Sequence, residues 1–432
     1  MRFDTLDQWL EWQTVLHASA IDLGLERVQQ VAGRMGLGRI ARQVITVAGT
    51  NGKGSTVAGY EIWLRRAGYT VASYTSPHLL KYNERIKYNL EPVSDAELCS
   101  AFESVEAARG DTSLTYFEYG TLAALHLFQQ WQLDYAILEV GLGGRLDAVN
   151  IIDADLVHLT PIGIDHQAWL GDDREQIGFE KAGVLRDGIP VVLNDPDPPR
   201  SVLEEIERHR CSCMRLGRDY QLTGLETNRP LWQSRDLGFP LDNIMPGAHQ
   251  ALNLAGVVAG LSRLIDLSAF DPDELRNNFH GAGLAGRLQQ IDCSLPCRLF
   301  ADVGHNPDAA RALAASLDEL KSAQGRLVVL LGMLEDKQPE LFVEALSPVV
   351  DSWWLTGLDC DRGLSASRLQ SRIGAQVKID ERFDNVAAAL DHALSSLGNQ
   401  DIMLVTGSFV TVEQLLRAVP DPGKLNKYGS EH

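Results

Sequence analysis

Short β-branched and aliphatic runs alternate along most of the chain with longer stretches whose apolar positions recur at helical spacing. The run "QVITVAG" (43–49) leads into a glycine-rich loop and then the helical pattern "STVAGYEIWLRRAG", which predicts strand, loop and helix in that order. "YTVASYTSPHL", "LDYAILEVGLGG" and "ADLVHLTPIGIDH" read as further buried strands, each ending in polar or glycine-rich residues. "FEYGTLAALHLFQQW" reads as one of the helices between them. Residues 6–36 read as two amphipathic helices around "ASAIDLGLERV", with Trp9, Leu10, Trp12 and Leu16 at helical spacing. Such alternation predicts an α/β fold with a parallel sheet covered on both faces and ligands at the carboxyl ends of its strands.

The alternation weakens around 195–245, where "NDPDPPR" is a loop and "NRPLWQSRDLGFPLDNIMPGAHQ" reads as short strands or turns. It restarts after "HGAGLAGRLQQ". "CRLFADVGHNPDAA", "GRLVVLLGMLEDKQ", "DSWWLTGLD" and "QDIMLVTGSFVTVEQLL" each read as a strand running into a loop and helix. A boundary near Gly286 follows, with domains over 1–286 and 287–432, and "DPGKLNKYGSEH" reads as a frayed tail.

Composition narrows the function. Hydrophobic residues make up 45% and charged residues 22% of the 432, so each domain can bury an ordinary core. A net charge of −19 opposes nonspecific nucleic-acid binding, which needs a cationic surface. No apolar stretch is long enough to span a bilayer, and "MRFDTLDQWLEWQ" lacks the pattern of a signal peptide, so a cytoplasmic protein without a membrane anchor is expected. The six cysteines form no C-x-x-C pair and are expected to be reduced thiols.

The chemistry concentrates at strand ends. In "VAGTNGKGST", Gly49, Gly52 and Gly54 let the backbone approach phosphates closely, and Lys53 supplies a charge for them. The residue after that lysine is Gly54, so the hydroxyl that ordinarily ligates Mg²⁺ at this position is missing. Glu139 ends "DYAILEV" and is placed either to take a metal ion or to be an ion-paired strand-end acid. His166, beside Asp165, reads as a ligand or as half of a hydrogen-bonded pair. His78, His126, His158 and His249 read as structural, His126 as a packed helix residue. Lys181 in "FEKAG" reads singly as a solvated lysine, and Trp353 and Trp354 as core and edge of a strand.

Together these segments resemble the bacterial bifunctional dihydrofolate synthase/folylpolyglutamate synthases of the Mur ligase superfamily. The resemblance rests on "IDLGLERV", "VAGTNGKGST", "SPHLLKYNERI", "LTYFEYGT", "ILEVGLGGRLDAVN", "DHQAWLG", "FEKAG", "AGRLQ", "DVGHNPDAA", "GMLEDK" and "TGSFVTV". "IDLGLERV" and "LTYFEYGT" point to the folate branch. "LAGRLQ", the Gly304 of "DVGHNP" and "PIGIDH" depart from the family pattern, but Arg287 and His305 remain in place.

The resemblance implies a P-loop ATPase domain followed by a smaller Rossmann-like domain. It implies ATP and two Mg²⁺ ions as cofactors, with K⁺ a further candidate. The metal ligands would lie outside the loop, at Ser76, Glu139, His166 and Lys181, the last carbamylated. Thr50, Asn51, Gly52 and Lys53 would hold phosphates, and Asn253, Arg287 and Asp302 would complete the nucleotide site. His305 would lie near the transferred phosphoryl group, with Lys53, Lys181 and Arg287 as its catalytic companions. Asp22, Leu23, Thr115, Tyr116, Phe117, Glu118, Leu146, Asp147 and Ala148 would line the pterin pocket. The implied substrates are 7,8-dihydropteroate, tetrahydrofolate polyglutamates and L-glutamate, acted on by a monomer. Nucleotide residues on both sides of Gly286 imply that domain closure excludes water. Three alternatives stay open: a folylpolyglutamate synthase without the first activity, a peptidoglycan-precursor ligase, and a P-loop switch protein.

Overall fold

The structure is a computed structural model that describes residues 2–225, 229–235, 237–241, 247–277, 279 and 284–419. Two compact units divide the chain: Met1–Asp242 with Leu252–His280, and Asn243–Ala251 with Gly281–His432. The changeover thus falls a few residues before Gly286, and the second unit also takes in an earlier segment.

In the first unit eight strands form one sheet: β1 (Ala41–Ala48), β2 (Val71–Tyr74), β3 (Ile86–Tyr88), β4 (Glu91–Pro92), β5 (Leu133–Glu139), β6 (Leu156–Leu159), β7 (Pro190–Leu193) and β8 (Ser212–Arg215). Their spatial order is β4-β3-β2-β5-β1-β6-β7-β8. From β2 to β8 every pairing is parallel, as the alternation predicts. At the other edge β3 and β4 run antiparallel to their neighbours, which the alternation does not predict. The connection between them is a tight turn at Asn89 and Leu90, both at positive φ. So short a link returns the chain antiparallel, because a parallel pairing needs a crossover.

The central strands β1, β5 and β6 are almost wholly buried, since helices cover both faces. The helix Tyr116–Gln130 buries ten of its residues, and Leu6–Val15 seats Trp9 against Phe102 and Tyr119. Within 195–245 the chain adds a helix (Arg200–Arg208) and β8 to the first sheet, and the described residues after β8 form an antiparallel three-stranded sheet, β9 (Tyr220–Thr223), β10 (Leu231–Ser234) and β11 (Gly238–Pro240), centred on buried Trp232.

The second unit holds β12 (Gln289–Ile291), β13 (Arg298–Asp302), β14 (Leu327–Leu331), β15 (Ser352–Thr356), β16 (Ile379–Phe383) and β17 (Ile402–Thr406). Their order is β12-β13-β17-β14-β15-β16, parallel apart from β12. Trp353 and Trp354 are both buried; Trp353 joins the main core, and Trp354 packs on Phe383 and His392. The tail "DPGKLNKYGSEH" and part of "HGAGLAG" lie outside the described residues.

Candidate active site

Strand order assembles the site in the first unit. β5 lies between β2 and β1, with Val47 opposite Glu139, and β6 flanks β1 on the other side. Ser76, Glu139, the Gly49–Lys53 loop and the Asp165–His166 turn, far apart in sequence, therefore leave neighbouring strands at the same end of the sheet. That is where a parallel α/β sheet binds its ligands.

The loop needs its glycines. A Cβ on Gly49 (φ 145°) would lie 1.9 Å from Thr160 Oγ1, and one on Gly52 (φ 91°) would lie 2.5 Å from Asn253 Oδ1. Thr50 and Asn51 donate their backbone N–H groups to the Pro161 carbonyl at 2.9 and 3.3 Å, and Thr50 Oγ1 donates to Gly163 O at 3.0 Å. Those two amides therefore tie the loop to the exit of β6. The helix Lys53–Arg66 starts at Gly52 with no side-chain cap, which leaves its first turn suited to an anion. Lys53 Nζ donates to the carbonyls of Gly49 and Thr50, both at 3.2 Å.

Ser55 and Thr56 bury their hydroxyls without a hydrogen-bond partner. Sequence reasoning treats the loop's hydroxyl as missing, yet Ser55 supplies one a single residue later than usual. A buried, unpartnered hydroxyl at a helix start suits a phosphate or a phosphate-bound metal.

Glu139, 5% exposed, accepts the backbone N–H of Ser76 at 3.2 Å. His166 has left-handed backbone (φ 54°) ahead of the turn Gln167–Leu170, and its N–H donates to Asp165 Oδ1 at 2.8 Å. Among the described residues no three His, Cys, Asp or Glu side chains form a closed metal cage. The donors present fit Mg²⁺ in its usual manner, with one or two carboxylates beside substrate phosphates and water.

Lys181, which reads singly as a surface residue, is 5% exposed. Gly144 lets the chain pass close to it, since a Cβ there would lie 2.8 Å from the carbonyls of Glu180 and Lys181. Burial, aided by the Lys53 charge, lowers the Lys181 amine to about 7 against the opposing pull of Asp165 and Asp147. Asp147 moves the other way, raised by burial to about 6 although the amides of Leu142 and Val149 donate to it.

The segments assigned to an acceptor meet on the same unit. Thr115 and Glu118 form a reciprocal cap at the start of their helix. Phe117 stacks on Tyr74 and lies against Gly141, where a Cβ would come within 2.6 Å of its ring. Leu146 is partly buried, and Ala148, next to Asp147, is buried. Arg27, which sequence reasoning does not single out, bridges Asp22 at 2.7 Å and Glu118 at 2.9 Å, and His17 reaches Asp22 at 3.1 Å. Leu23 follows Asp22 in this bridged loop and is partly buried.

In the second unit Asp302, at the end of β13, accepts the amides of Leu288 and Gly304, each at 2.7 Å. His305 Nδ1 donates to Val303 O at 2.9 Å, which fixes the tautomer with its hydrogen on Nδ1. Arg287 lies over the ring of Phe409. Both Arg287 and Asp302 act electrostatically on half-buried His249, whose imidazole desolvation holds below its ordinary value. Of the remaining histidines, His158 pairs with Tyr60, His126 with Gln130, and His78 with Arg85. All six cysteines are free.

Known proteins match this arrangement from end to end. Residues 286–409 match the family model of the Mur ligase glutamate ligase domain. The chain is 40% identical over 414 residues to the dihydrofolate synthase/folylpolyglutamate synthase of Escherichia coli (strain K12), covering 96% of this chain and 95% of that one. Among solved structures, Escherichia coli FolC in complex with DHPP and ADP superposes with a TM-score of 0.88 at 39% identity, covering 96% of this chain and 97% of that one. A bifunctional folylpolyglutamate synthase/dihydrofolate synthase with Mn, AMPPNP and L-glutamate bound gives 0.86 at 40% identity, covering 96% and 98%. With identity and coverage at that level, the chain belongs to the dihydrofolate synthase/folylpolyglutamate synthase family, within the Mur ligase superfamily.

Proposed function

We propose that this chain is an ATP-dependent ligase that joins L-glutamate to 7,8-dihydropteroate and then extends tetrahydrofolate polyglutamates. The observation that carries the reading is the convergence of the Gly49–Lys53 loop, Glu139 and Ser76 at adjoining strand ends, beside the segments 115–118 and 146–148. A carboxylate does not acylate an amine unaided. The acceptor's carboxylate oxygen therefore attacks the γ-phosphorus of ATP, the bond to ADP breaks, and ADP leaves with the electron pair. The amine of L-glutamate then attacks the acyl phosphate carbonyl; the new C–N bond forms, phosphate leaves, and the amine gives up a proton to solvent.

The roles are read onto the residues described above. Lys53 and the first turn of the helix Lys53–Arg66 hold phosphate oxygens, and Thr50, Asn51, Gly52 and Asn253 shape the loop around them. Ser55 joins them through its buried hydroxyl. Glu139, Ser76, His166 and Lys181 would hold the divalent ions, whose chemistry is to offset charge on the transferring phosphoryl group. Arg287, Asp302 and His305 are the second unit's contribution, with His305 presenting Nε2 because Nδ1 is committed to Val303 O. Asp22, Leu23, Thr115–Glu118 and Leu146–Ala148 take the pterin. The enzyme is read as a cytoplasmic monomer that acts on small molecules and neither nucleic acid nor membrane. A net charge of −19 weighs against nucleic-acid binding, and among the described residues no helix is long and apolar enough to cross a membrane.

Lys181 is read as carbamylated. An amine lowered to about 7 is substantially uncharged near neutrality and can attack CO₂; one N–C bond forms, one proton is released, and an anion replaces a cation beside Lys53. Lys181→Ala is expected to be inactive and partly rescued by short carboxylates. Mass measurement of the intact, metal-loaded enzyme should show one added CO₂; an unmodified lysine in a fully active preparation would rule the carbamate out.

ADP release with dihydropteroate or with tetrahydrofolate, each with and without L-glutamate, tests the whole reading. Release dependent on acceptor and glutamate is expected in both cases. Turnover only with a UDP-linked peptide, or nucleotide binding without acceptor-dependent turnover, would overturn it.

A further inference from the structure

The stretch "SPHLLKYNERI" gives the site Ser76, but its arginine has no role in the reaction as derived above. Arg85 is 9% exposed. Its Nε donates to His78 Nδ1 at 2.9 Å, and its guanidinium carbon lies 5.1 Å from the centre of the Tyr82 ring and 5.5 Å from that of Tyr116. Among the described residues no carboxylate is within ion-pair distance of it. The surrounding phenols supply no countercharge either: burial raises Tyr74 to about 12 and pushes Tyr82 and Tyr116 upward, so all three stay neutral. Arginine is almost never buried without an anionic partner, because desolvating the charge costs more than ring contacts return.

Its position indicates the missing anion. The Arg85 carbonyl accepts the N–H of Thr75 at 2.8 Å, next to Ser76, which in turn donates to Glu139. Tyr116, on the other side, belongs to the acceptor segment 115–118. The guanidinium therefore lies between the groups assigned to the phosphoryl end and those assigned to the pterin. An acceptor held at 115–118 whose carboxylate must reach the phosphates has to pass that carboxylate through this interval. We infer that Arg85 binds the carboxylate of the acceptor substrate through its two terminal nitrogens. This rests on the ligase reading above and adds to it a residue that selects carboxylate-bearing acceptors. A charge-assisted, two-point contact of this kind brings one anion up to another.

Direct binding without ATP tests this on the full chain, using dihydropteroate and its analogue that lacks the carboxylate. Wild type should prefer dihydropteroate by about ten- to a hundredfold, the range of a hydrogen-bonded charge. Arg85→Gln should bind the two ligands nearly alike, and Arg85→Lys should keep part of the preference. Thermal unfolding supplies the readout that a structural arginine would move in the other direction. Arg85→Gln should melt at or above the wild-type temperature, since it removes an uncompensated buried cation. Undiminished preference in Arg85→Gln would overturn the assignment, as would an effect confined to the KM for L-glutamate, which would place the donor's carboxylate there instead. If wild type turns over neither dihydropteroate nor tetrahydrofolate, the ligase reading itself falls and takes this inference with it.

Discussion

The loops that leave β1 and β13 each carry the chain from the carboxyl end of a strand into a helix, yet they satisfy their polar groups in opposite ways. The β1 loop is built from glycine backbone. No side chain caps the helix after it, and the hydroxyls of Ser55 and Thr56 find no partner in the protein. The β13 loop satisfies itself: Asp302 takes two amides, His305 Nδ1 holds Val303 O, and Asn306 caps the next helix through Ala309 N at 2.9 Å. Thr406, from β17, adds a contact to Gly304 O at 3.3 Å. One loop is left for a ligand to complete, whereas the other is already a finished scaffold that fixes where its side chains stand. Changes beside the first should therefore cost activity, and changes in the second should cost stability as well.

The largest effect is expected at Glu139. Glu139→Ala should lower kcat and kcat/KM together by roughly 10²-fold or more, the scale of lost transition-state electrostatics, with the fold intact. Steady-state kinetics beside a thermal melt decides it; near-wild-type kcat at saturating Mg²⁺ would refute the metal assignment. For the finished loop, Asp302→Ala leaves the amides of Leu288 and Gly304 without their acceptor, at a cost of about 1–3 kcal/mol in denaturant titration. Wild-type stability in that variant would erase the contrast between the loops.

Acid sharpens the comparison from the first unit's side. Burial holds His158, on β6 beside β1, at about 3, below its unfolded value of roughly 6.5. Above the unfolded value the ring is neutral in both states; as pH falls below it the unfolded chain takes up a proton that the native state refuses. Stability should therefore fall by about 1.4 kcal/mol per pH unit from this group, and His158→Gln should show a shallower acid slope. The smallest effect is the cap: Asn306→Ala should cost about 1 kcal/mol of stability.

The alternation of apolar runs made β1, β2, β5 and β6 of the first sheet and β13, β14, β15 and β17 of the second legible, because a buried parallel strand is a continuous aliphatic run such as "ILEV". The positions of "KYNERIKYN" and "IDERF" were harder to read. β3 is three residues long and β16 is largely exposed and charged, so neither shows the apolar signature of an interior strand. Strand order was not legible at all from local pattern, since β5 inserts between β1 and β2 through pairings remote in sequence. The phosphate loop announced itself because glycine spacing is a local signal. Lys181 and Arg85 did not, because charge in a sequence reads as surface and only tertiary packing buries it. Ser55 was overlooked because it stands one position away from where the usual pattern seeks a hydroxyl.

The earlier segment Asn243–Ala251, which the second unit takes in, bears on how this protein can be divided. It carries His249, half-buried where Arg287 and Asp302 act on it, and Gly247, where a Cβ would lie 2.5 Å from Ser316 Oγ. A gene fragment that starts at residue 287 encodes the whole parallel part of the second sheet but omits this segment. The two units are thus interleaved in the genetic text even though each is compact in space. Recombination between relatives at a single crossover near 286 would join a first unit from one parent to a second unit whose small inserted segment comes from the wrong parent. Chimeras that exchange 243–251 together with 281–432 keep His249 with its own Arg287 and Asp302.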